Sequence, residues 1–146
     1  MPLTPLEGQP TLLELLCIRA DLSGVPLPQE ETKLVVVVRG DLQVSVGKIA
    51  AQVGHVATDA MNTCFDCKPS VLLKWMMDGQ KKVVVKAPNM SVINDIISKA
   101  ESSGMCTSVI HDAGRTEVEP DTVIAVGIGP DAESKFVGIT DKLRLF

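Results

Sequence analysis

Leu34 to Val38 is an unbroken run of five apolar residues, four of them valine. Five residues are too few for a stable helix, and β-branched side chains favour the pleated backbone, so the run predicts a strand buried on both faces. A strand of that kind is central to its sheet and needs a covering layer on each side, which restricts the fold to a sheet sandwiched between helices.

The rest of the chain supplies those layers. Gly47 to about Met61 has helical periodicity, and Pro69 to Asp78 predicts a second helix, with proline in its first turn and Gly79 just past its end. Lys82 to Lys86 reads as a strand stopped by Pro88. Ser91 to Ser103 then carries Val92, Ile93, Ile96, Ile97 and Ala100 at helical spacing before Gly104. Cys106 to Ile110 and Thr122 to Ile128 predict two more strands, separated by a turn-rich stretch containing Asp112-Ala113-Gly114 and Pro120. A last short helix is expected from Pro130, with Asp131 and Glu133 in its first turn. The order β-α-α-β-α-β-β-α predicts an α/β fold: a four-stranded mixed sheet with helices on both faces, a three-layer sandwich.

The 146 residues suit one domain preceded by a leader. Residues 1–32 hold Pro2, Pro5, Pro10, Pro26 and Pro28 and predict an irregular segment, with at most a helical turn or two around Thr11 to Arg19. They also carry Arg19 against Glu7, Glu14, Asp21, Glu30 and Glu31, which accounts for the whole net charge of −4. The domain at 33–146 is therefore balanced. That excludes coating nucleic acid by bulk charge but allows a basic face. Four cysteines without a secretion signal point to a reducing compartment, and Leu12 to Ile18, interrupted by Glu14, is far too short to span a bilayer. The expectation is a cytoplasmic protein, with an organelle as the alternative, and no membrane partner.

Two polar clusters stand out. At about 100° per residue, Gln52, His55 and Asp59 fall within about 40° of Lys48, while Ile49, Val53, Val56 and Ala60 share another side of the helix. An ordinary solvated face produces the same stripe; a crevice at the strand ends is the functional alternative. Lys48 lies in the first turn, where the helix dipole disfavours a cation, so an anion nearby would relieve it, and Gly47 lets a phosphate approach the backbone. The second cluster, His111-Asp112-Ala113-Gly114-Arg115-Thr116, follows a strand directly, where α/β sheets bind ligands; a plain Asp-x-Gly turn is the alternative.

At these residues the chain closely resembles the type 2 peptidyl-tRNA hydrolases. The matching segments are Val36-Val37-Val38-Arg39-x-Asp41-Leu42, Gly47-Lys48-Ile49-Ala50-Ala51-Gln52-x-x-His55, Gly79-Gln80-x-Lys82-Val83-Val84-Val85-Lys86-Ala87-Pro88, Asp112-Ala113-Gly114-Arg115-Thr116 and Gly127-Ile128-Gly129-Pro130, in the family's order. The resemblance implies hydrolysis of the ester joining a peptide to the 3′ ribose of tRNA, which recycles tRNA from aborted translation, on a fold that is commonly dimeric. It places the catalytic set at Lys48, His55, Asp112 and Thr116. Ester hydrolysis needs an activated water and a partner for the oxyanion, so the roles expected here are Asp112 with His55 orienting and deprotonating water, Lys48 on the terminal phosphate or oxyanion, and Thr116 hydrogen-bonding the reacting centre. No metal or cofactor is called for. The expected partner is peptidyl-tRNA, held at its acceptor end and phosphate backbone, with Arg39, Gly47, Gln52, Lys82, Lys86 and Arg115 as substrate-binding residues. Lys81, Lys142 and Arg144 extend the candidate electrostatic footprint.

Departures from the family pattern are His111 for a usual Gln, Ile124 where Thr is common, and Gly40, Gln43 and Val46 where polar or basic residues are common. Thr122, two residues from Ile124 on the same strand face, offers a hydroxyl instead. A non-catalytic module binding RNA or protein on the same fold is the alternative function. With no Tyr, one Trp and three Phe, base-stacking readout of RNA sequence is not expected. Cys64-x-x-Cys67 raises a redox pair or half a zinc site, but no second pair of ligands accompanies it. Gly127-x-Gly129-Pro130 lacks the third glycine of a dinucleotide loop and is better explained by tight packing of its strand against the last helix. Trp75, Met76 and Met77 are read as core or dimer-contact residues.

Overall fold

The apolar run forms the strand it predicts, extended at both ends to β1, Thr32–Arg39. This computed structural model describes residues 8–9, 11, 14, 26–113 and 118–146. The chain continues through α1 (Val46–Cys67), α2 (Pro69–Met77), β2 (Lys82–Ala87), α3 (Met90–Ser102), β3 (Thr107–His111) and β4 (Val123–Ala132). A single 3-10 turn, Glu133–Phe136, and β5 (Arg144–Leu145) complete it.

The strands form one open sheet in the order β3-β4-β1-β2-β5, parallel between β1 and β2 and antiparallel elsewhere. There are thus five strands where four were expected. The fifth, two residues paired with Val85 and Lys86, is too short for any periodicity to announce it.

Alternation along β1 sorts the two layers. Val35 and Val37 join Val85, Ala87 and the α3 residues Ile93, Ile96 and Ala100 in one core; Leu34, Val36 and Val38 meet Val56, Ala60, Leu72 and Trp75 of α1 and α2 in the other. Trp75 is fully buried, its indole N–H donating to the Lys81 carbonyl at 2.8 Å, whereas Met77 stands exposed. Gly127 of β4 faces α1, not the last helix: a Cβ there would lie 2.7 Å from Val56 Cγ1. This absent side chain lets α1 lie close against the sheet.

The helix expected from Pro130 is replaced by strand. Thr32 pairs with Ala132 and Lys33 with Asp131, so β1 takes up the backbone groups that a helix would have used internally. Asp131 is accordingly no first-turn acid. It is buried and bridged by Lys68 at 2.7 Å. Gly129, at φ +93°, turns the chain where a side chain would collide with the Asp131 backbone N and approach Phe136.

Of the leader, Thr11 and Glu14 exchange the reciprocal bonds of a capping box, at 2.6 and 3.2 Å; the other residues of the expected helical turns lie outside the described residues. Glu30 docks on Ser134, its carboxylate accepting from the backbone N–H and the hydroxyl at 2.8 Å each. Among the described residues no helix is long and apolar enough to cross a membrane.

Candidate functional site

β3 is antiparallel to β4, which is antiparallel to β1, so the carboxyl ends of β1, β2 and β3 all lie at one end of the sheet. Three connections leave from that end: residues 40–45, leading into α1, residues 88–89, leading into α3, and the loop after His111. Ser45 caps α1 by accepting from the Lys48 N–H at 3.3 Å. This cap sets the rotation of the first turns and brings the polar stripe to the end of β3.

Asp112 meets the stripe there. Its Oδ1 accepts from Lys48 Nζ at 2.7 Å and from Gln52 Nε2 at 3.0 Å, and the carboxylate is 6% exposed. The anion that the helix dipole calls for beside Lys48 is therefore a side chain of the protein itself. The Asp112 backbone is held as firmly: its N–H donates to Thr122 O at 2.9 Å, and its carbonyl accepts from Asp121 N–H at 2.7 Å. Asp121 closes this turn at φ +64°, a left-handed conformation that aspartate tolerates better than most residues.

Beside this cluster opens a cleft of about 400 Å³, lined by Gln52, His55, Asp59, Asn62, His111 and Asp112 among others. His55 is exposed in it, one turn beyond the buried Gln52. Gln52 Oε1 finds no hydrogen-bond partner among the described residues. His111 Nδ1 lies 3.1 Å from the Asp121 carbonyl, which requires that nitrogen to carry its proton. Thr58 and Asn62 were not anticipated. The signal was present, since each lies three residues beyond a stripe member, His55 and Asp59.

The candidate residues do not all gather at the cleft. Gln52, His55 and Asp112 line it, Lys48 joins them through its ion pair with Asp112, and Gly47 sits exposed in the helix's first turn. Arg39 is held in a two-pronged bond to Asp41 at 2.9 and 3.0 Å, with a further hydrogen bond to Val123 O at 3.3 Å. Asp41, hydrogen-bonded in this way, is held below the usual carboxylate range, and Arg39 is raised. Lys82 stands at the opposite end of β2, over the Trp75 ring at 4.8 Å and donating to Gln80 O. Lys86 occupies the carboxyl end of the same strand but faces a separate groove. Arg115 and Thr116 lie outside the described residues. Thr122 is in the turn before β4, and its hydroxyl is bound to Glu119 O at 2.7 Å, so it does not stand in for a threonine at position 124, where Ile124 is fully buried.

Residues 32–146 match the family model for peptidyl-tRNA hydrolase PTH2. The chain belongs to this family. A peptidyl-tRNA hydrolase of Thermoplasma volcanium is 48% identical over 113 residues, covering 77% of this chain and 97% of that protein. A probable peptidyl-tRNA hydrolase 2 of Schizosaccharomyces pombe is 35% identical over 140 residues, covering 96% of this chain and 68% of that protein. A solved structure of a protein of unknown function from Agrobacterium superposes with a TM-score of 0.54 at 14% identity, over 79% of this chain and 97% of that one, a likeness of fold alone.

The Cys64-x-x-Cys67 signal falls elsewhere. Cys64 is buried near the end of α1, its thiol against the Lys68 and Pro130 carbonyls, and burial pushes that thiol up, away from the thiolate form that redox or metal chemistry needs. Among the described residues no group of three or more His, Cys, Asp or Glu side chains is placed to hold a metal ion.

Proposed function

We propose that this PTH2-family chain hydrolyses the ester linking a peptide to the 3′ ribose of tRNA, with the cleft beside Asp112 as its active site. The observation that carries the assignment is the Lys48–Asp112–Gln52 cluster at 2.7 and 3.0 Å, set next to an exposed histidine in an open cleft. Ester hydrolysis needs a base for water and a positive or hydrogen-bonding group for the oxyanion of the tetrahedral intermediate.

In this reading a water held between His55 and Asp112 attacks the ester carbonyl and passes its proton to His55. The carbonyl electrons move onto oxygen, where the Lys48 ammonium, keeping two N–H donors beyond the one on Asp112, stabilises the charge. Collapse of the intermediate expels the ribose 3′ oxygen, which takes the proton back from His55 to give a free 3′ hydroxyl; the peptide acid left behind loses the second proton of the attacking water to solvent and departs as a carboxylate. Asp112 orients water and holds Lys48; Gln52 fixes the Asp112 rotamer. Thr116 enters through the family resemblance, as a hydrogen-bond partner of the reacting centre.

The test is turnover of N-acetylated aminoacyl-tRNA against aminoacyl-tRNA with a free amine, repeated with His55→Ala and Asp112→Ala. Each substitution should lower kcat by roughly 10²- to 10⁴-fold, the usual contribution of a positioned acid or base. Release at the native rate by both variants would remove the cleft from the chemistry.

A further inference from the structure

A second concavity opens at the same end of the sheet but on its opposite edge. It is about 470 Å³ in volume and is lined by Gly40, Lys86, Pro88, Lys142, Leu143 and Arg144, three cations and no carboxylate. Lys86 and Arg144 are directly opposite one another in the β2–β5 register, so their side chains rise on the same face. Like charges in that position repel, and a strand pair built only for stability would oppose a cation with an acid.

Six other cations of the domain, Arg39, Lys48, Lys68, Lys74, Lys81 and Lys99, each lie within 3.0 Å of a carboxylate, while Lys33 and Lys82 stand singly over the Phe136 and Trp75 rings; the groove is where three cations without an ion pair to a described residue gather. Lys86, Lys142 and Arg144 have no ion pair with any described residue, and the ring of Phe146, 5.6 Å away, is the neighbour of the Lys86 ammonium. Gly40 belongs to the same design. A Cβ there would lie 3.0 Å from both the Ala87 carbonyl and Lys86 Cε, so the glycine leaves the lysine room to lie along the groove wall, and a larger residue would make its side chain shift by a few tenths of an ångström. Pro88 and Leu143 add apolar walls of a kind that suits ribose carbons.

We propose that this groove binds the phosphate backbone of the RNA substrate's acceptor arm, remote from the ester; the proposal rests on the hydrolase reading of the Asp112 cleft. From β3 to β2 is three strand steps of about 4.8 Å, roughly 14 Å, which corresponds to about four nucleotides of stacked strand at about 3.4 Å each. The groove therefore meets phosphates near the base of the single-stranded 3′ end, while the terminal ribose lies in the cleft. Binding there is to charge and sugar, indifferent to base identity.

The probe is an uncharged RNA hairpin carrying an acceptor stem and its single-stranded 3′ end. Its affinity is measured by fluorescence anisotropy across about 50 to 300 mM salt. For Lys142→Ser with Arg144→Ser the slope of log affinity against log salt should shrink by about 1.4, and affinity at about 0.15 M salt should fall roughly 15-fold, at about 0.7 for each single-strand phosphate no longer neutralised. Arg144→Lys, which keeps the charge, should restore most of the Arg144 share, and unchanged thermal midpoints establish that the variants fold. With the acylated hairpin the double variant should raise KM and leave kcat within about twofold, because the groove holds ground and transition states alike. That penalty should vanish when the RNA is cut back to the CCA trinucleotide.

An unchanged salt slope, or a loss of binding to phosphatidylserine vesicles without a loss of RNA binding, would overturn the proposal. Failure of the hydrolase reading would look different. His55→Ala and Asp112→Ala would then release peptide at the native rate, while hairpin binding still depended on Lys142 and Arg144.

Discussion

The Lys48–Asp112 pair offers the most exacting test of the site, because removing either partner has a different consequence. Two unit charges about 2.7 Å apart attract by roughly 6 kcal/mol at an effective dielectric near 20, before the cost of desolvating them. Asp112 is 6% exposed and Lys48 16%, so the carboxylate bears more of that cost. Lys48→Met leaves a nearly buried anion without this cation and should destabilise the fold by about 2 to 4 kcal/mol, at or below the range for breaking a buried pair. Asp112→Asn keeps the shape and an oxygen for the Gln52 amide, while Lys48 can turn toward water; a loss of about 1 kcal/mol is expected. The double variant should recover about 1 to 2 kcal/mol relative to the sum of the singles. Urea unfolding of the four proteins measures this, and additivity within about 0.5 kcal/mol would refute the view that Lys48 and Asp112 act as one unit. Both single variants should also lose at least 100-fold in kcat, by roughly the usual contribution of one positioned group.

Two further outcomes follow from packing and charge. Gly127→Ala would place a methyl 2.7 Å from Val56 Cγ1 and 3.3 Å from Ser108 Cβ. Pushing α1 off the sheet should cost about 1 to 3 kcal/mol and lower kcat as Gln52 and His55 move; a native melting temperature with native kcat would contradict the close-approach role. Lys68 is pulled down by its own burial, yet the Asp131 carboxylate holds it above its ordinary value of 10.5. Its contribution to stability is therefore complete below about pH 10.5 and lost as pH rises through the higher folded value, so denaturation midpoints measured from neutral to strongly alkaline pH should fall more steeply for the native protein than for Lys68→Met. Equal slopes would dismiss the pair.

Much of the site was legible along the chain. Lys48, Gln52, His55 and Asp59 repeat at helical spacing, and their common face follows from the geometry of any α-helix. Periodicity could not say what they face. Asp112 lies 60 residues from Gln52, and only the antiparallel return of β3 beside β4 brings it to the start of α1. The substrate-binding residues divide for the same reason. Arg39 has Asp41 two positions away, but whether a flexible pair closes depends on the strand end that holds it. Lys82 and Lys86 belong to one short strand whose two ends serve different surroundings.

The errors cluster where backbone partners are distant. Pro130, Asp131 and Glu133 carry every local mark of a helix start, yet pairing with Thr32 and Lys33 extends β4 instead, because hydrogen bonds already offered by β1 outweigh a weak local preference. β5 likewise exists only because Val85 and Lys86 present an open edge to it.

What the chain determined alone is therefore the local repertoire: the valine strand, the amphipathic stripes that cover it, the proline and glycine stops, and the family motifs. Tertiary structure alone decided which cations are neutralised and which remain available. A charge finds its partner through space, and across a sheet that partner is set by strand order and register, quantities that no stretch of neighbouring residues contains.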